Sequence, residues 1–130
     1  MLVYLVRHAK AGSGEPDELR PLTAEGLRQA LDLGKRLAAA EKPPVSVRTS
    51  PLLRARQTGD AIAQAAGLSS EPHERLGPGA TSDDVRAAIA SCDDPVVVVG
   101  HQPDCGQIAA ELSGGPEPSF PPAGVVEITL

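Results

Sequence analysis

A chain of 130 residues with 41% apolar side chains suits one domain of ordinary size built on one core. One Phe, one Tyr and no Trp leave that core to Val, Leu, Ile and Ala, and exclude an aromatic platform for stacking single-stranded nucleic acid. A formal net charge of −5 argues against nucleic acid or a membrane surface as partner, so any anion site must be assembled from a few clustered cations.

Leu2 to Val6 is a continuous apolar run, the pattern of a strand buried on both faces. It runs straight into Arg7-His8, a fixed cation beside the one side chain that titrates near neutral pH. Ala11 to Pro21 is rich in Gly, Pro and acids and reads as a loop. Thr23 offers an N-cap, and Leu27, Leu31, Gly34 and Ala38, widened by Leu37, predict the buried stripe of a helix ending near Ala40. Val45 to Thr49 is a short second strand. Ser50-Pro51 reads as a cap followed by Pro at the first helical position, opening a helix that Gly67 closes.

Ser70 to Ala80 reads as irregular. Thr81-Ser82-Asp83-Asp84 is a capping-box pattern for a helix over Val85 to Ser91. Val96 to Val99 is the second strongly apolar strand, and Gly100-His101 ends it. Pro103 opens a helix reaching about Ser113, with Gly114-Gly115 as its stop, and Val125 to Leu130 forms a last strand. The order β-α-β-α-α-β-α-β predicts an α/β sandwich of three layers around a mostly parallel sheet, as a single domain over 1–130. Cys92 and Cys105 lie outside any CxxC pattern, so neither a zinc nor a redox site is indicated. MLVYLV is too short for a signal-peptide core, and no run approaches the roughly 18 apolar residues of a membrane span; the expected location is cytoplasmic.

Ligands of open α/β sheets sit beyond the carboxyl ends of the strands. If the first and third predicted strands run parallel, His8 and His101 emerge at one edge. In SPLLRARQT, Arg54 lies near a helix N-terminus, where side chains lean back toward that edge. Arg7, Arg54, His8 and His101 would then converge with no carboxylate among them, a set matched to a dianionic phosphoryl group rather than to a metal.

LVRHAKAG resembles the RHG signature of the histidine phosphatase superfamily, SPLLRARQT its second motif, VVVVGHQP its third, and RPLTAEG the segment that begins its first helix. The motifs span nearly the whole chain in the family's order, and the short length with RHAKA is similar to SixA-type phosphohistidine phosphatases. The resemblance implies a phosphoglycerate mutase-like fold with a minimal lid and a hydrolase that needs no metal or cofactor. His8 would be the nucleophile, and Arg7, Arg54 and His101 would hold the phosphoryl oxygens. Ala9 stands where Gly is usual, and Gln102 where Asn is frequent. Arg20 is a further candidate on the substrate side, and Glu74 in EPHERLGPG is the nearest match to the family's general acid.

A loosely specified acid fits a P–N bond better than a P–O bond, because imidazole can protonate near neutral pH before it leaves. Only about 27 residues separate Leu68 from Val96, leaving little room for a lid over the site. The expected substrate is therefore phosphohistidine on a protein, with phosphate, sulfate or vanadate as simple site ligands. A small-molecule phosphomonoesterase and a catalytically weak phosphate- or phosphoprotein-binding module are the alternatives.

Overall fold

In the computed structural model, which describes residues 1–130, the two Val-rich runs become neighbouring strands inside a five-stranded sheet. The first, β1, spans Leu2–Arg7, and the second, β4, spans Val96–Gly100. Between them in the chain come α1 (Ala24–Ala38), β2 (Ser46–Thr49), α2 (Leu53–Ala66), β3 (Ser70–Pro72) and α3 (Ser82–Ile89); α4 (Asp104–Ser113) and β5 (Val125–Thr129) follow. The sheet order is β3-β2-β4-β1-β5, parallel throughout except for the antiparallel β5 beside β1.

Both central strands are apolar at every interior position because helices cover both faces. Tyr4, Val6, Val97 and Val99 face α1 and α2, where they meet Ala30, Leu33, Leu37 and Ile62. Val3, Leu5, Val96 and Val98 face the other way, toward Val85, Ile89 and Ile108 of α3 and α4. The three-layer arrangement expected from the order of elements is what the chain adopts.

Several local expectations need correction. The buried face of α1 is Gly26, Ala30, Leu33, Gly34 and Leu37, while Leu27 is 46% exposed. Small residues sit on that face because α1 and α2 touch closely: a Cβ at Gly34 would lie 2.9 Å from the Ile62 Cα. The Thr23 hydroxyl caps α1 as expected, accepting from the Gly26 N–H at 2.9 Å. The helix α2 begins at Leu53, not at Pro51, and Ser50 is not its N-cap. The segment read as irregular contains β3, a three-residue polar strand paired with β2, and a 3-10 turn at Glu74–Leu76. For α3 the capping box is present, with Asp84 and Thr81 exchanging side chain-to-backbone bonds.

Candidate active site

The register of the two central strands places the histidines. Arg7 pairs with Gly100, and the next amide, that of His8, donates to the Gly100 carbonyl at 2.9 Å. His8 and His101 therefore leave adjacent parallel strands at the same carboxyl edge, with ring centroids 5.2 Å apart. A cleft of about 380 Å³ opens there, lined by Arg7, His8, Asp17, Arg20, Arg54 and His101, with Pro78, Gly79 and residues 102–104 on the opposite rim.

His8 Nδ1 lies 2.7 Å from the Ala9 carbonyl oxygen. A carbonyl only accepts, so Nδ1 carries the proton and Nε2 keeps its lone pair. The Ala9 amide donates to Thr58 Oγ1 at 3.0 Å, and that hydroxyl donates to the Arg54 carbonyl at 2.8 Å. Thr58 thus pins the turn after His8 to the first turns of α2. Ala9 is fully buried at this junction.

His101 Nε2 meets Ser50 Oγ at 2.7 Å, and the same Ser50 oxygen accepts from the Leu52 N–H at 3.2 Å. Ser50 therefore orients the second histidine instead of capping α2. Arg7 Nη1 donates to the Phe120 carbonyl at 2.9 Å. Arg7 Nε and His101 Nδ1 are buried without a protein partner. Buried polar groups are nearly always bonded, so these two nitrogens hold unused hydrogen-bonding capacity at the strand edge.

Arg54 is 7% exposed and lies in the first turn of α2. Its Nη1 donates to the Asp17 main-chain oxygen at 2.9 Å, and Nη2 lies 3.2 Å from Asp17 Oδ2. Arg20 Nη1 donates to Asp17 Oδ1 at 3.0 Å. The expectation of a cluster without carboxylates is thereby corrected: Asp17 and Asp104 both line the cleft. The two guanidiniums hold the Asp17 carboxyl below its usual range. Asp104 Oδ2 accepts from the Gly79 N–H at 2.7 Å, closing the far rim.

Burial pushes the His8 imidazole pKa down, and Arg54, Arg7 and Arg20 push the same way against the opposing pull of the Ala9 carbonyl. His101 is pushed down to about 4 by burial, with His8 and Arg54 adding to it. Both rings are neutral at pH 7. Burial also raises Cys92, and Cys105 to about 12, leaving both thiols protonated. No group of His, Cys, Asp or Glu is gathered to hold a metal ion.

Of the residues singled out in the sequence, Arg7, His8, Arg20, Arg54 and His101 share the cleft. Glu74 does not line it: the residue is exposed in the 3-10 turn, outside the cleft wall that Pro78 and Gly79 form. Asp17, Ser50 and Thr58 went unrecognised because their partners are 37, 51 and 49 positions away in the chain, respectively. Only for Ser50 was there a sequence signal, and it pointed to a cap.

The family model described as histidine phosphatase superfamily (branch 1) matches residues 3–77. The chain belongs to the histidine phosphatase superfamily. The matched stretch carries Arg7, His8, Arg20 and Arg54 and stops before His101, which joins them through the β1–β4 register. Among relatives of this superfamily, phosphohistidine phosphatase SixA of Escherichia coli is 30% identical over 138 residues, covering 100% of this chain and 86% of that protein. An uncharacterized protein of Picosynechococcus is 35% identical over 124 residues, covering 88% of this chain and 74% of the relative. The structure of the protein histidine phosphatase SixA with tungstate aligns at a TM-score of 0.88, with 29% identity over 100% of this chain and 88% of that one. A mycobacterial glucosyl-3-phosphoglycerate phosphatase, at 18% identity and a TM-score of 0.71, shares the fold over 97% of this chain and 88% of its own. Within the superfamily the chain is of the SixA type, and as a member of it the chain is a phosphatase. No helix is long and apolar enough to cross a membrane.

Proposed function

We propose that this phosphatase removes phosphate from phosphohistidine displayed on another protein, through a phosphorylated His8. The observation that carries the reading is the His8 tautomer: Nδ1–H is spent on the Ala9 carbonyl, which leaves the Nε2 lone pair free beside Arg7, Arg54 and His101. Nε2 attacks phosphorus while the bond from phosphorus to the substrate ring nitrogen breaks. The departing imidazole leaves neutral when its other nitrogen already carries a proton. Water then attacks phospho-His8, releasing phosphate and restoring the neutral ring. Arg7, Arg54 and His101 supply donors to the oxygens on which charge builds in each transfer.

The choice of a P–N bond is supported by the carboxylates of the cleft. A phosphate ester needs an acid to protonate its alkoxide. Asp17 is held anionic by two arginines, Asp104 is engaged by the Gly79 N–H, and Glu74 lies outside the cleft. Protein-borne substrate is supported by the short segment between α2 and β4, which holds β3, a 3-10 turn and α3 and only brings Pro78-Gly79 to the rim.

Turnover of a phosphohistidine-bearing protein is to be compared with that of sugar phosphates and phosphoglycerates. A strong preference for the phosphoprotein is expected, and a preference for the small esters refutes the substrate assignment. The substitution His8→Ala should abolish turnover together with any acid-labile, alkali-stable phosphate on the enzyme. Retention of both would remove His8 from the mechanism, whereas a wild type without turnover, whose phosphate affinity His8→Ala leaves unchanged, would indicate a binding module.

A further inference from the structure

The loop between β1 and α1 carries a carboxylate that touches two of the three arginines in the cleft. Asp17 engages Arg54 twice, through its main-chain oxygen at 2.9 Å and Oδ2 at 3.2 Å, and Arg20 once, through Oδ1 at 3.0 Å. Arg20 Nε is held as well, by the Gly12 carbonyl at 2.8 Å. The Arg54 side chain is 9% exposed and that of Asp17 59%, so a carboxylate at the cleft mouth reaches in to a buried cation.

We infer that Asp17 is a positioning residue for the oxyanion grip: it orients the Arg54 guanidinium and recruits Arg20 as a third guanidinium of the site. The inference rests on the phosphatase reading above. A guanidinium has five N–H donors in a rigid fork. Two contacts from one residue fix both the position and the plane of the Arg54 fork. They leave its Nε–H and the remaining Nη hydrogens for a ligand. The second carboxylate oxygen offsets the repulsion that would otherwise drive Arg20 away from Arg54. Main-chain carbonyls of the same loop, those of Asp17 and Gly12, hold the same two side chains. The carboxylate therefore acts with the scaffold on which the guanidiniums are mounted. It is not a competitor for the incoming anion.

The two roles differ in sign, and tungstate binding to the full-length chain separates them. Asp17→Asn keeps the shape and the main-chain contact but removes the charge. It should weaken tungstate about tenfold, the size of one charge-assisted hydrogen bond. Arg20→Ala should weaken tungstate in the wild type but add less than about twofold in an Asp17→Ala background, because the two act as one unit. All titrations are run well below the melting temperature of each variant, so that unfolding is not read as lost affinity. Unchanged or tighter binding in Asp17→Asn overturns the inference, as does a full Arg20→Ala penalty in the double variant. A wild type that binds no tungstate overturns the phosphatase reading, and this inference with it.

Discussion

His8 is at once half-buried and surrounded by three guanidinium groups, and both conditions disfavour its charged form. The hydrogen bond to the Ala9 carbonyl opposes them without cancelling them. The ring therefore stays neutral below the ordinary histidine value of about 6.5, and the proposed attack by His8 requires the neutral ring. Lowering the pKa moves the loss of activity to lower pH, so the acid limb of kcat/KM should fall below pH 6.5. Burial is the largest cause of the shift and Arg20 a smaller one, so removing that positive charge takes back part of it: in Arg20→Ala the acid limb should move modestly to higher pH. Side-by-side pH profiles on one substrate cancel the ionisation of the substrate itself. An acid limb that stays put in the variant would mean that Arg20 does not act electrostatically on His8.

At the level of elements, the first turn of α1 sets the loop that follows His8. A Cβ at Gly26 would collide with the Lys10 carbonyl, two residues after His8, and that same oxygen accepts from the Thr23 N–H at 3.0 Å. In an open helix, Gly→Ala gains up to about 1 kcal/mol. Here overpacking against backbone reverses the sign, and Gly26→Ala should cost about 1–3 kcal/mol in urea unfolding. Turnover should fall with it, since displaced Lys10 backbone pulls on His8. The same close fit explains why the stripe read from Leu27 and Leu31 was one residue off. Gly34 and Leu37 are buried as expected, but Gly26 and Ala30 have too little hydropathy to announce a buried face, yet the approach of α1 to α2 demands small side chains. β3 escaped notice for a related reason: Ser70–Pro72 is a polar edge strand, with no alternation to detect.

Across the whole molecule, two clusters of buried side chains lie on opposite faces of one sheet, Leu33 in one and Ile108 in the other. Leu33→Ala and Ile108→Ala should each cost about 2–5 kcal/mol. Residues that share no partner add, so the double variant should lose the sum to within about 0.5 kcal/mol. If the chain is one domain, urea melts of either single variant should remain a single transition by every probe. Separate transitions for the two faces would divide it.

Much of this organisation is local and so was readable from the chain. The apolar runs at Leu2–Val6 and Val96–Val99, the Thr81–Asp84 capping box and the stop glycines at 67 and 114 each act over a few residues. The two arginines and two histidines at strand and helix ends were visible for the same reason. Tertiary structure alone decided which carboxylates enter the cleft, which hydroxyl orients His101 and which helical face is buried. Those outcomes depend on groups that meet only when β1, β4 and α2 are brought together. Asp17 instead of Glu74, and Ser50 as partner of a histidine, follow from long-range distances that no neighbouring residue encodes.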